Sequence, residues 1–274
     1  MHIIVNVNDE YKEYIGIPGI GRFEGEEAVR YYEQLIDKAK NEGFHVILIL
    51  EYIVDVGERN EPNRKFSNLE EFMEKMENLA IKWSYIAEEH NVDIFSPINE
   101  FDRVLYENGI DNDEIIKKEE EFYSKTIPEI NKKYSGIIYC KLGSVHQYRK
   151  FNATFCDLVG IVVTGNDPTS SLSKFREDVR EYLKNAQEIS KEYDKPWIVG
   201  EFFVPKFFTQ MSGISLKDYY KVVFQEYKSC ENKASGFVFM GWKNPFAPIK
   251  ETEAKEDIRE FFLHIEEYSA PLYL

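Results

Sequence analysis

Apolar and polar positions alternate in blocks along the whole chain. Short runs that are apolar nearly throughout occur at residues 3–7, 45–51, 93–98, 136–142, 157–163, 196–201 and 236–241, as expected of strands covered on both faces. Between them apolar residues return every three or four positions, the mark of helices with one buried face. Ala28, Tyr32, Leu35, Ile36 and Ala39 form one such stripe. A second runs through Leu69, Phe72, Met73, Met76, Leu79, Ala80, Trp83, Ile86 and Ala87, and a third through Phe175, Val179, Tyr182, Leu183, Ala186 and Ile189. A closing helix is predicted to bury Ile258, Phe261, Phe262 and Ile265. Ser67 and Glu70 have the spacing of a capping box and predict where the second stripe becomes helical.

Strand and helix in regular succession build a parallel sheet with helices packed against it. With 274 residues, the chain suits one (β/α)8-type barrel, which takes about 250 residues, and it is predicted to form a single domain over 1–274. Seven strands are counted, one short of a closed eight. The helix after residue 24 leads into a strand that behaves as the third, so residues 3–7 would be the second. The first strand is then lacking or substituted, by the N-terminal edge or by a neighbouring subunit. A doubly wound open sheet is the structural alternative.

Composition narrows the function. With 34 Lys and Arg against 49 Asp and Glu, the formal charge is −15, and the two signs are interleaved rather than gathered on a basic face, which argues against nucleic-acid partners. The longest apolar run, around Val46 to Leu50, falls far short of the roughly 20 residues that span a bilayer. The first residues lack the features of a secretory signal, so a cytoplasmic location is expected, or a secreted one had a signal segment been removed. Cys140, Cys156 and Cys230 show no metal or framework spacing and are expected to be buried free thiols. No metal or organic cofactor is expected, and the sequence does not fix the oligomeric state.

The chemistry concentrates at two strand ends, Ile98-Asn99-Glu100 and Val199-Gly200-Glu201. Paired acids at the C-terminal ends of barrel strands are the means by which such enzymes cleave glycosides. With Ser96-Pro97-Ile98-Asn99-Glu100, Trp197-Ile198-Val199-Gly200-Glu201 and Gly241-Trp242 in this order, the chain from about residue 25 resembles the clan A retaining glycoside hydrolases. The resemblance implies that Glu100 ends strand four as acid/base and Glu201 ends strand seven as nucleophile. The two carboxyls would then lie about 5–5.5 Å apart, the spacing of a retaining enzyme. Glu100 is expected to be the protonated partner, Asn99 to hold the sugar 2-hydroxyl and Trp242 to face the sugar ring. For either acid alone, capping the next helix or, for Glu100, pairing with Arg103 is an equally good reading; their joint occurrence favours catalysis.

Other strand ends supply secondary candidates for substrate binding: Asn6, Asn8, Glu51, Tyr52, Lys141, His146, Asn166, Asp167 and Phe203. Asn166-Asp167-Pro168 is first of all a turn and helix-start signal. Segments 9–25 and 202–214 are expected to be cleft walls, with Tyr11, Tyr14, Phe202, Phe207 and Phe208 among their rings. Two departures from the clan stand out. The second-strand run Ile3 to Asn8 lacks the Arg found there, and Thr164-Gly165 follows strand six where a Tyr or His is usual. The expected substrate is a β-linked oligo- or polysaccharide cleaved by an endo-acting enzyme of the mannanase, glucanase or galactanase type. A carbohydrate-binding barrel without catalysis is the alternative. A phosphate-handling barrel enzyme ranks last, because Phe202-Phe203-Val204-Pro205 is a poor phosphate cradle.

Overall fold

The computed structural model describes residues 1–17, 21–56, 62–143, 151–164, 167, 169–204, 206–239, 249 and 252–272. The chain divides into two compact units, one of Met1–Val145, Thr154–Asp157 and Leu274, the other of His146–Ala153 and Leu158–Tyr273.

In the first unit, β1 (His2–Val7), β4 (Ile47–Tyr52), β7 (Ile94–Ser96) and β8 (Ile137–Leu142) are parallel, in the order β8-β7-β4-β1. Helices α1 (Glu26–Asn41), α2 (Leu69–Glu89), α3 (Phe101–Glu107) and α4 (Asn112–Ile130) connect or flank them. The buried residues of α1 and α2 follow the stripes read from the sequence, Met73 and Met76 included. The cap of α2 is one residue later than the Ser67 pattern suggests: Asn68 accepts the Glu71 N–H.

Beyond β1 the parallel order stops. Its free edge takes β2 (Glu13–Ile17) antiparallel, and β2 in turn takes β3 (Gly21–Glu24). A hairpin thus occupies the edge where a first parallel strand would pair, and Glu13–Ile17 and Gly21–Glu24 of the segment expected to be a cleft wall form a sheet extension. Three contacts fix it there. Trp83 Nε1 of α2 donates to the Glu13 carboxylate at 3.0 Å, beside Lys82. The Tyr32 hydroxyl of α1 donates to the Tyr14 carbonyl at 2.8 Å, and the Gly25 N–H donates to the Glu13 carbonyl at 2.8 Å. Gly25 opens α1 at φ 58, ψ −134, a backbone shape open essentially to glycine alone. A second small hairpin, β5 (Asp55–Val56) with β6 (Pro62–Asn63), follows β4.

The second unit places β10 (Trp197–Phe202) between β9 (Leu158–Val163) and β11 (Phe237–Phe239), all parallel. Its helices are α5 (Leu172–Tyr193), α6 (Lys206–Ser212), α7 (Leu216–Lys228) and α8 (Lys255–Leu263). Trp197 is a core residue, with its indole N–H on the Asn232 carbonyl. Phe224 and Phe261 stack at 4.0 Å between ring centres and bind α8 to α7.

The cysteines depart from expectation. Cys140 of β8 is joined to Cys156, with Cα atoms 5.9 Å apart, and only Cys230 is a free thiol. The pairing follows from the backbone: Ile138 and Asp157 exchange two hydrogen bonds of 2.9 Å, one through the Asp157 side chain, and bring the segment after residue 153 alongside β8. Closing a loop over 16 residues of sequence separation restricts the unfolded chain by about 3 kcal/mol. Cys140→Ser, or treatment with a reductant, should therefore lower Tm by roughly 6–12 °C in a thermal melt. Cys230→Ser should not, and melts indifferent to reductant would show that the thiols are not joined.

Candidate active site

After β7 the chain passes Pro97, which has no N–H to give a neighbouring strand, and then re-enters the sheet. The Asn99 N–H donates to the Leu50 carbonyl on β4 at 2.7 Å, and the Glu100 N–H to the Lys141 carbonyl on β8 at 3.1 Å. Asn99 also forms a parallel bridge with Lys141. The Asn-Glu pair is thus wedged between the ends of two strands. Asn6 of β1 stands in register with Glu51 of β4, so Asn6, Glu51, Asn99 and Lys141 form a row across the C-terminal ends of four parallel strands.

Glu100 has left-handed backbone angles, φ 45 and ψ 50, uncommon for a residue with a long side chain and costing on the order of 1–3 kcal/mol. It occupies the N-cap position of α3, yet its side chain makes no capping hydrogen bond. Helix capping is therefore not its role. The carboxylate is instead buried, 3 % exposed, among cations from three directions. Lys141 Nζ lies 3.6 Å from Oε1, while Arg103 Nη1 and Arg64 Nη2 lie 3.5 and 3.9 Å from Oε2. The pairing with Arg103 raised by the sequence is real, but it is one of three among the described residues.

Arg64 arrives from the segment after β6 and is held by its neighbours. Asn108, just past α3, donates to the Arg64 carbonyl at 2.9 Å and accepts the Phe66 N–H at 3.0 Å. The Tyr52 hydroxyl donates to the Lys65 carbonyl at 3.1 Å. The Arg64 guanidinium gives a 2.8 Å hydrogen bond to Glu51 and lies 3.6 Å from Glu107, which also takes a 2.8 Å bond from Arg103. Three cations and three carboxylates are interleaved.

Burial acts to raise the proton affinity of Glu100, but Lys141, Arg64 and Arg103 together outweigh it and hold the carboxyl below the ordinary glutamate range. This reverses the expectation of a protonated Glu100. The same Lys141 charge acts on His2 of β1, whose imidazole burial and neighbouring cations push down to about 3. Among the described residues, Glu100 Oε2, Asn99 Oδ1 and the Nε and Nη1 of Arg64 are buried without a hydrogen-bond partner.

The remaining candidates divide by what already engages them. Asn8 accepts the Glu10 and Lys12 N–H groups at 3.0 Å each, which shapes the turn between β1 and β2. Tyr52 is buried, stacked on Tyr11 and set edge-on to Phe72. Asp167 accepts the backbone and hydroxyl of Thr169, the turn that its sequence suggests. In the second unit Glu201 lies half-buried on β10 immediately after a register shift: Val199 pairs with Ile161 and Glu201 with Val162, leaving Gly200 as an extra residue. Such bulges re-aim the following side chain. Phe203 follows, also half-buried. His146, Asn166 and Trp242 lie outside the described residues. No group of three or more His, Cys, Asp or Glu among the described residues is arranged to hold a metal.

Two contributors were not read from the sequence. Arg64 sits in a segment of mixed charge, and nothing local marks it. Gly143 lets the end of β8 abut α3, its N–H donating to Asp102 Oδ1 at 2.8 Å. A Cβ at that position would stand 2.8 Å from the Arg103 Cβ and 3.4 Å from that of Glu100.

No protein-family model matches the chain, and neither does any curated protein sequence. Solved structures do. A GH113 β-1,4-mannanase is 19 % identical with a TM-score of 0.59, covering 84 % of this chain and 77 % of that one. A GH113 β-mannanase from Alicyclobacillus acidocaldarius is 12 % identical with a TM-score of 0.63, covering 88 % and 79 %. A family 5 xyloglucanase from Paenibacillus pabuli is 12 % identical with a TM-score of 0.63, covering 96 % and 85 %. The likeness shows the fold, an α/β fold of the TIM-barrel type, as expected from the sequence.

Gly143→Ala should destabilise the protein by about 1–3 kcal/mol through overpacking. Thermal melts will report it; a melt identical to the unmodified protein would mean that β8 and α3 are not so closely apposed.

Proposed function

We propose that the chain is a retaining β-glycoside hydrolase working as one catalytic domain over residues 1–274, with Glu100 as acid/base and Glu201 as nucleophile. The observation that carries this reading is the Asn99-Glu100 wedge. Buried polar atoms without partners are rare and mark sites of function, and here Asn99 Oδ1 and Glu100 Oε2 are two such atoms at the C-terminal ends of parallel strands, where barrel enzymes place their chemistry. The bulge before Glu201 and the fold shared with β-mannanases and a xyloglucanase support it. The substrate class is a β-linked oligo- or polysaccharide, of mannan or glucan type, cleaved within the chain.

Glu201 attacks the anomeric carbon and forms a glycosyl ester, while Glu100 protonates the departing oxygen. Glu100 then takes a proton from the water that cleaves the ester, and configuration is retained. No cofactor enters these steps. A second reading, a carbohydrate-binding barrel without catalysis, is favoured by the burial of Glu100 and its three cations.

Glu201→Gln should fold normally and lose at least about a thousandfold in kcat on aryl β-glycosides, since an amide cannot form the ester; near-full activity would remove Glu201 from the mechanism. Glu100→Ala should retain turnover of substrates with good leaving groups and be accelerated by azide. Because the Glu100 carboxyl is held low, its protonated form is lost as pH rises through that low value, so hydrolysis of substrates with poor leaving groups should be fastest on the acid side. Binding of sugars without turnover across an aryl glycoside panel, unchanged in Glu201→Ala, would establish the second reading.

A further inference from the structure

We propose that Lys141 is a positioning residue for Glu100, acting with Arg64 as a clamp on the two oxygens of its carboxylate. Lys141 addresses Oε1 at 3.6 Å, and Arg64 addresses the other oxygen, Oε2, at 3.9 Å. The inference rests on the reading of Glu100 as acid/base.

Both cations are shielded from water, Lys141 at 0 % and Arg64 at 4 % side-chain exposure. A lysine so deep is seldom found without a carboxylate to answer it. Lys141 is also tied to Glu100 through the backbone, by the Glu100 N–H on the Lys141 carbonyl, so the two side chains start from strand ends held side by side. Arg64 is fastened by the Asn108 and Glu51 contacts. Arg103 is a third, weaker member: at 3.5 Å it is no farther away, but it is 36 % exposed, and water screens its charge.

Among the described residues, the ionisable groups around the carboxylate include Glu51 from β4, Asp102 and Glu107 from α3, and His2 from β1 through Lys141. Glu51 and Glu107 are themselves paired with the arginines, and His2 is neutral above its low value. The clamp thus decides how firmly Glu100 keeps its charge, and with it the balance between donating and accepting a proton.

The test is a titration of the Glu100 side-chain carboxyl by 13C NMR in protein labelled at glutamate, with Glu100→Gln to assign the signal. In Lys141→Met the midpoint should move to higher pH, so that at a fixed pH above it the protonated fraction rises about tenfold or more. Arg64→Met should move it the same way, Arg64→Lys should restore most of the effect, and Arg103→Met, on the half-open side where folding is safest, should give a smaller shift in the same direction. The alkaline limb of the pH–rate profile should follow each shift. A midpoint unmoved in every folded variant, Arg103→Met included, overturns the clamp. Shifted midpoints in a protein that hydrolyses no glycoside uphold the clamp and overturn only the acid/base reading.

Discussion

A carboxylate removed from water loses hydration worth several kcal/mol unless other charges replace it, and at Glu100 that replacement organises the first unit. The three cations come from three separate places: the segment behind a small hairpin, the first turns of α3 and the end of β8. Arg103 lies three residues from Glu100 on the helix that Glu100 opens, but Arg64 and Lys141 are distant in sequence and each needs an anchor. Asn108 supplies one for Arg64, the strand-end bridge supplies another for Lys141, and Gly143 leaves the room in which β8 meets α3. Remove the charge from Glu100, and Arg64 keeps Glu51 and Glu107, but the buried cations lose a compensating charge and the balance of the cluster shifts.

Both acids also sit where the backbone leaves regular geometry. Glu100 takes left-handed angles between a strand and a helix, and Glu201 follows an extra residue in β10. In an unbroken strand the side chains alternate between faces, and a one-residue irregularity redirects what comes next. The left-handed turn at Glu100 is offset by the two backbone hydrogen bonds that Asn99 and Glu100 give to the flanking strands. The same left-handed angles close α5 at Asp194, but at Glu100 they fall on a buried acid between a strand and a helix, where such strain more often accompanies function.

The strands were legible because both of their faces are buried, which leaves nearly unbroken apolar runs at 47–52, 137–142 and 158–163. The hairpin β2–β3 was not, because its inward position at Glu13 is a charged residue whose burial makes sense only beside Lys82 and Trp83. The Cys140–Cys156 bond was equally hidden, since spacing along the chain does not reveal that the segment after residue 153 returns to β8. At the site, Asn99, Glu100, Glu51 and Lys141 were readable from their places at strand ends. Arg64 was not, and the ionisation of Glu100 could not follow from its neighbours in sequence when the cations that set it are contributed from residues 64 and 141.

In the proposed double displacement, that ionisation would bear differently on the two halves. In the first half the acid must lend a proton to the departing oxygen, and a carboxyl held low does so only from its minority form. In the second half the same group must accept a proton from water, for which the ionised form is the one required. A clamp of fixed cations therefore keeps the ionised form that the second half requires, though as a weaker base, and burdens the step that forms the intermediate, the more so the poorer the leaving group. A glycosidase built around such a cluster is limited by glycosylation on natural polysaccharides, whose alkoxide leaving groups depend on the proton. On activated aryl glycosides, which leave unaided, that burden largely disappears.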